Sequence, residues 1–251
     1  MSFEIDAHAA LPSPIQRWDP RVKIASLTIL AVAIATCRHA GAAVLGVAMA
    51  LETLALARLP VDWVLGRLKA PLAFLALFFV VLPFSGAGTT IPLGGLRLSV
   101  DGMELAALLV LKGTAVVLVT LALLGTAPFH RSMRALEDLG VPARLVELLL
   151  FAYRYVFVFA RELERKRLAL RARGFSGRRA RDPRTAARIV GTLMVSGLDQ
   201  TERVQRAMRL RGYAGRIPTL ERFAPTGVDF AKAAAAAAAA LAILMADRLP
   251  P

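Results

Sequence analysis

The chain has 251 residues, is 57% hydrophobic and carries a formal charge of +14, with a mean hydropathy of +0.56. That combination excludes an ordinary soluble domain, which is less apolar and closer to neutral. The two properties are segregated: residues 161–222 hold 17 of the 32 Lys and Arg against six Asp and Glu, a net +11, and the rest is apolar runs between short polar breaks. The composition describes an integral membrane protein with a basic segment outside the bilayer. An excess of Lys and Arg in short connections marks the cytoplasmic side, which places that segment and the N-terminus there. A single cysteine, Cys37, excludes an internal disulfide framework.

Residues 1–20 read as an irregular cytoplasmic arm. Pro12, Pro14, Arg17, Asp19 and Pro20 interrupt any apolar core before residue 21, so no cleavable signal peptide is expected. Asp19 and Pro20 are suited to N-cap and first-turn positions. The uncharged run 24–37 would span only about 21 Å as helix, short of the ~30 Å hydrocarbon core. Snorkelling by Lys23 and Arg38 would close much of that gap. A break at Arg38-His39-Ala40-Gly41 leads to a return segment, 42–57, carrying Glu52, and the two are expected to form an antiparallel hairpin.

Arg58, Pro60, Asp62, Arg67 and Lys69 read as a cytoplasmic connection. The strongly apolar part of 70–96 ends near Phe84, and Gly86, Gly88, Gly94 and Gly95 predict an external turn. Residues 103–124 form the clearest span, with Lys112 its only embedded cation. An intramembrane lysine is a functional-site candidate; the alternative is a structural role, facing a polar seam or pairing with Glu52 or Glu104.

Pro128 opens a short amphipathic helix with Phe129, Met133, Leu136 and Leu139 on one side, stopped by Gly140-Val141-Pro142. Residues 145–160 are apolar enough to suggest another span, but Arg154 lies at their centre. Four crossings from a cytoplasmic N-terminus already return the chain to the side where the basic segment belongs. We therefore expect one long helix over 145–173, about 43 Å. After an Arg-, Gly- and Pro-rich loop (174–184) a second long helix covers 185–211. Val190, Leu193, Met194, Leu198, Thr201, Val204 and Met208 share its apolar face, which could bury against the membrane body or in a partner's groove. Residues 228–246, with eight consecutive alanines, make a final candidate span. The expected fold is an all-α integral membrane protein of about five transmembrane helices plus long cytoplasmic coupling helices. It divides into a membrane region at 1–127 with four candidate spans, a coupling region at 128–222 and a C-terminal membrane helix at 223–251.

One stretch is stated twice. Arg171-Ala172-Arg173-Gly174-Phe175 recurs 38 residues later as Arg209-Leu210-Arg211-Gly212-Tyr213, and Glu164-Arg165 recurs as Glu202-Arg203 at the same offset. Each copy closes a helix-like run as a C-cap would. Gly174 and Gly212 fall where a left-handed residue is needed. Arg173 and Arg211 become the last helical residues, at the negative end of the macrodipole. Phe175 and Tyr213 fall where a cap packs an aromatic back onto Leu170 and Met208. Chance rarely duplicates a cap, its arginines and its aromatic together.

Catalytic signatures are absent. None of the five lysines follows a glycine, so the chain has no phosphate-binding loop of its own. His8, His39 and His130 are scattered, and Cys37 with His39 lacks further ligands nearby. A non-catalytic subunit is expected, with no cofactor or metal of its own. Two readings of the arginines are open. In one, the two tips dock into two similar grooves of an ATPase pair that supplies the energy. In the other, the basic segment binds nucleic acid or acidic lipid, which would call for interleaved aromatics. Between 161 and 222 the only aromatics are Phe175 and Tyr213, both at the caps, which favours docking and argues against nucleic acid.

These residues resemble the T component of energy-coupling factor transporters, and within that group the CbiQ family of cobalt-uptake systems. The likeness rests on Asp19-Pro20-Arg21-Val22-Lys23, Leu139-Gly140-Val141-Pro142, Tyr153-Arg154-Tyr155, and the motifs Ala172-Arg173-Gly174 and Leu210-Arg211-Gly212, where Leu replaces the common Ala. The resemblance implies a multi-pass protein of the cell membrane with about five spans and cytoplasmic coupling helices between the fourth and fifth. It implies that Arg173 and Arg211, with their neighbours Arg171, Ala172, Gly174, Arg209, Leu210 and Gly212, dock on two ATP-hydrolysing subunits. It also implies ATP-Mg on those partners and cobalt on a separate substrate-binding membrane subunit. Nickel or a vitamin would be alternative cargoes for the same role.

Overall fold

The computed structural model describes residues 13–85, 90–93, 96–174, 183–213, 215 and 223–248. The helices are α1 (Pro20–Thr36), α2 (Ala40–Ala57), α3 (Val61–Ser85), α4 (Val100–Gly125), α5 (Phe129–Asp138), α6 (Ala143–Ala172), α7 (Pro183–Leu210) and α8 (Gly227–Arg248). Between α3 and α4 lies an antiparallel hairpin of β1 (Thr90–Leu93) and β2 (Leu96–Ser99), with Thr90 opposite Ser99. The described chain divides into two compact units, residues 13–135 with 223–248 and residues 136–215.

In the first unit α4 is the central element, packing against α1, α2 and α3, while α8 packs against α1 and α2. The buried faces of α2 and α4 are built largely from small residues, Ala42, Ala43, Gly46 and Ala50 on α2 and Ala106, Ala115 and Ala122 on α4, while α1 contributes Leu27, Leu30 and Ile34. Small side chains let helix backbones approach closely where lipid supplies no hydrophobic drive. On α4 three glycines spaced by 11 and 12 residues face α3. A Cβ at Gly102 would lie 2.5 Å from the Leu82 carbonyl oxygen, one at Gly113 would lie 2.8 Å from Leu75 Cδ2, and one at Gly125 would lie 2.9 Å from Leu59 Cδ1.

Outward surfaces are apolar. Only 6% of the apolar stretch of α3 is buried, leaving Phe74, Leu77, Phe79, Val80 and Phe84 exposed. A water-facing surface would not carry such a patch; a lipid-facing one would. Helices α2, α3, α4 and α8 are long and apolar enough to cross a membrane. Helix α1, at 17 residues, covers about 25 Å and is slightly short on its own, as its sequence indicates.

The structure revises several expectations. Asp19 does cap α1, accepting from the Arg21 amide at 2.9 Å. Lys23, however, does not snorkel: it is buried and donates to Thr126 Oγ1 (3.2 Å) and the Thr126 carbonyl (3.4 Å) at the end of α4. A buried ammonium must find such acceptors. Lys112 pairs with neither Glu52 nor Glu104. It donates to the carbonyls of Ala35 (3.4 Å) and Cys37 (3.5 Å), a cation at the negative end of α1. Asp247 on α8 accepts from the amides of Arg38 (2.6 Å) and His39 (2.9 Å) at the start of α2.

The expected α1–α2 hairpin is splayed: the helices touch little beyond Ile34 and Gly46, and α4 packs on both. Asp62, Arg67 and Lys69 belong to α3 itself, since Pro60 starts that helix by accepting from the Trp63 and Val64 amides. Arg67 stacks on Trp63, 3.9 Å from the ring centroid. The β-hairpin was not anticipated. Gly86, Gly88, Gly94 and Gly95, read as an external turn, lie outside the described residues.

In the second unit α6 is one continuous helix of 30 residues, as expected from Arg154 at its centre. It follows a stop at Gly140, whose φ is +104°; the Val141 amide bonds back to Leu136. Helix α7 runs antiparallel to it. A Cβ at Gly197 would lie 2.9 Å from Phe159 Cζ, while Tyr213 beyond the end of α7 meets Glu147 near the start of α6. On the predicted apolar face of α7, Leu193 is buried, whereas Val190, Met194 and Leu198 remain exposed.

The glycine contacts separate two substitutions. Gly102→Ala drives a methyl into backbone and should lower stability in detergent by about 1–3 kcal/mol. Gly113→Ala meets only movable methyls and gains up to ~1 kcal/mol of helix propensity, so it should be nearly neutral. Thermal unfolding of the two variants side by side checks this; equal stability of both would contradict the close α3–α4 packing.

Candidate docking site at two arginine helix ends

The repeated motif forms the same structure twice. At the end of α6 the Arg173 amide bonds to Ala169 (3.3 Å) and Leu170 (3.1 Å), the Gly174 amide bonds to Arg171 (3.0 Å), and Gly174 has φ +82°. At the end of α7 the Arg211 amide bonds to Ala207 (3.2 Å) and Met208 (3.1 Å), the Gly212 amide bonds to Arg209 (3.1 Å), and Gly212 has φ +79°. The Tyr213 amide adds a bond to Met208 at 3.0 Å, completing the paired bonds of a glycine C-cap. Phe175, its counterpart, lies outside the described residues. Arg173 and Arg211 are thus the capping residues rather than members of the last turn, one position later than expected.

All eight motif residues are exposed: Arg171, Ala172, Arg173 and Gly174 at one end, Arg209, Leu210, Arg211 and Gly212 at the other. Leu210, the position that departs from the usual alanine, is 90% exposed. No described residue pairs with the four guanidinium groups. The ion pairs of these helices lie elsewhere, at Glu162–Lys166 (3.3 Å) and Glu202–Arg206 (3.0 Å). Repetition therefore stops at the caps: Glu164 and Glu202, equivalent in sequence, do not make equivalent pairs.

Because α6 and α7 are antiparallel, the two arginine ends do not sit side by side. Arg211 lies beside the start of α6, near Glu147, and Arg173 lies 26 residues further along that helix, roughly 39 Å away. Sequence spacing alone does not reveal this separation.

Sequence reasoning also missed the contact that fixes one of the ends. The Tyr213 hydroxyl donates to Glu147 Oε2 at 2.9 Å, and Glu147 is buried. Tyr213 joins Met208, Phe151 and Tyr155 along a groove between the helices, so its aromatic ring does return toward Met208 before its hydroxyl reaches α6. The hydrogen bond to Glu147 raises the Tyr213 pKa above its ordinary value. The neutral phenol is therefore the stabilised form, and its contribution is intact at neutral pH and lost only as pH rises through that elevated value. The available signal was an acid, Glu147, set in the apolar half of α6. Among the described residues no three His, Cys, Asp or Glu side chains come together as metal ligands.

Tyr213→Phe keeps the ring and removes the hydroxyl that donates to Glu147, and should loosen this helix end. Hydrogen exchange at the amides of Arg211–Tyr213 should speed up by about tenfold, with those of Arg173–Gly174 unchanged. Unaltered exchange at Arg211–Tyr213 would mean that the bond does not hold this end.

The chain matches a family model described as cobalt transport protein, CbiQ, over residues 12–220. It is 30% identical over 196 residues to the cobalt transport protein CbiQ of Rhodobacter capsulatus, covering 77% of this chain and 78% of that one. It is 27% identical over 217 residues to the energy-coupling factor transporter transmembrane protein EcfT of Brevibacillus brevis, covering 81% and 82%. The family match spans α1 to α7 with the paired arginine ends, and the chain belongs to the CbiQ family of cobalt transport proteins.

Proposed function

We propose that this chain is the transmembrane coupling subunit of an energy-coupling factor importer for cobalt. Its basic unit and N-terminus face the cytoplasm, where the Arg173 and Arg211 ends dock into two equivalent grooves of an ATPase dimer. ATP-Mg is bound and hydrolysed on those partners, and cobalt is captured by a separate membrane subunit. The observation that carries the reading is one exposed helix end, built twice with the same hydrogen bonds and set at opposite ends of an antiparallel helix pair. Two like plugs about 39 Å apart suit a dimeric receptor with two like sockets. The likeness to the cobalt transport protein CbiQ of R. capsulatus favours cobalt over nickel or a vitamin.

Docking draws on chemistry these ends have to spare. The Arg173 and Arg211 guanidinium groups have no partner to surrender among the described residues, so each bond made to an acceptor is a gain of about 1.5–3 kcal/mol. When the nucleotide-bound dimer closes, its two grooves approach each other and the two arginine ends must follow. Stiff helices of 30 and 28 residues carry that displacement over their whole length, and the substrate subunit responds to it. Such coupling requires an element with two arrangements that both sides bias, and the α6–α7 pair is that element.

Replacing both Arg173 and Arg211 by alanine should abolish co-purification of the ATPase dimer and cobalt uptake. Each single replacement should weaken assembly by ~2–5 kcal/mol, roughly 30-fold to several thousand-fold. Hydrolysis by the isolated ATPases should be unchanged. Normal assembly and uptake by the double variant would reject the reading. Steep loss of binding with rising salt, without ATPase dependence, would favour a phosphate binder instead.

A further inference from the structure

The membrane unit contains a cavity of about 590 Å3 between α1, α2 and α8. Its deep part is apolar, with Leu27, Leu30 and Met49 facing the alanines of α8, and its mouth carries Trp18, Glu52 and Lys232. These three polar groups come together because α1 and α8 begin where α2 ends. Trp18 precedes α1, Lys232 is the sixth residue of α8 and Glu52 lies five residues before the end of α2.

The two charged groups are incompletely satisfied, while the Trp18 ring is buried and its Nε1 is closed to solvent. Lys232 uses one donor on the Pro14 carbonyl at 3.0 Å and lies 6.0 Å from the Trp18 ring centroid; an ammonium has three donors. Glu52 is exposed on a membrane-spanning helix, and no described residue pairs with its carboxylate. The site therefore lacks an acceptor for Lys232 and a donor for Glu52.

Size selects the kind of occupant. The cavity is in the range of sites for single small ligands, apolar with a few placed polar groups.

We propose that this cavity binds one phospholipid bearing a zwitterionic primary-amine headgroup. Its phosphate accepts from Lys232, its ammonium donates to Glu52, and an acyl chain fills the channel beside the α8 alanines. The alanine run is then a lipid-lined wall, which explains how a weakly apolar helix is kept in the membrane.

The test uses the full-length chain in mixed micelles with phosphatidylethanolamine, phosphatidylglycerol or phosphatidylcholine of identical acyl chains, with bound lipid counted by native mass spectrometry. Phosphatidylethanolamine should be retained about tenfold over the other two, the scale of one charge-assisted hydrogen bond. Glu52→Gln should erase that preference without loss of folding, since the side chain is exposed. Lys232→Gln should lower retention of all three lipids. Equal retention by the unaltered chain, or a preference that survives Glu52→Gln, would overturn the proposal. So would expulsion of the lipid when the substrate-binding subunit is added, which would assign the cavity to a partner helix.

Discussion

The last carbonyls and first amides of an α-helix lack intrahelical partners, and this chain meets that constraint differently in its two units. In the membrane unit one helix completes another. Lys112 of α4 donates to the end of α1, and Asp247 of α8 accepts at the start of α2. Lys23 of α1 closes the end of α4, and the Arg21 guanidinium reaches the Phe223 carbonyl just before α8. In a medium without water these cross-helix caps are needed for the backbone ends, and they tie together helices whose small buried side chains contribute little interlocking of their own. In the basic unit the caps are local: a glycine turns left-handed and the chain's own amides satisfy the carbonyls.

That contrast bears on function. A helix end completed by another helix is committed to it, whereas an end completed by its own glycine leaves its side chains for something else. Arg173 and Arg211 are the residues so released, and under the proposed reading the ATPase pair is what they meet. The two ends are alike but not equally held. Tyr213 anchors the Arg211 end to α6 through Glu147, and no described contact does the same for Arg173. Motion entering at the Arg211 end is therefore transferred directly to the start of α6. Motion entering at the Arg173 end must travel along the helix.

Much of this was legible in the sequence because it depends on local chemistry. Asp19-Pro20 starts a helix, Gly140 stops one, and a repeated Arg-Gly ends two; each follows from the backbone preferences of the residues concerned. The single long α6 was readable from Arg154, since a cation at the centre of an apolar run is costly in lipid. The partners of Lys23 and Lys112 were not readable. An amine's acceptor is chosen by which helices become neighbours, and α4 packs against both α1 and α2 while those sequence neighbours diverge. Two glycines of α4 could have revealed the α3 contact, since residues 102 and 113 are about three turns apart and share one helical face. The separation of the arginine ends required the antiparallel pairing of α6 and α7, which the 38-residue offset does not encode.

The central claim is that one chain engages two ATPase copies through two helix ends. It is tested most directly by placing single cysteines, Arg173→Cys and Arg211→Cys, in a background where Cys37→Ser removes the native thiol, and cross-linking each to the assembled ATPase dimer. The account requires that either cysteine alone captures one ATPase subunit and that the two together capture both, giving a covalent species of one chain with two ATPases. Failure of either position to cross-link in an assembly that still hydrolyses ATP and imports cobalt would contradict it.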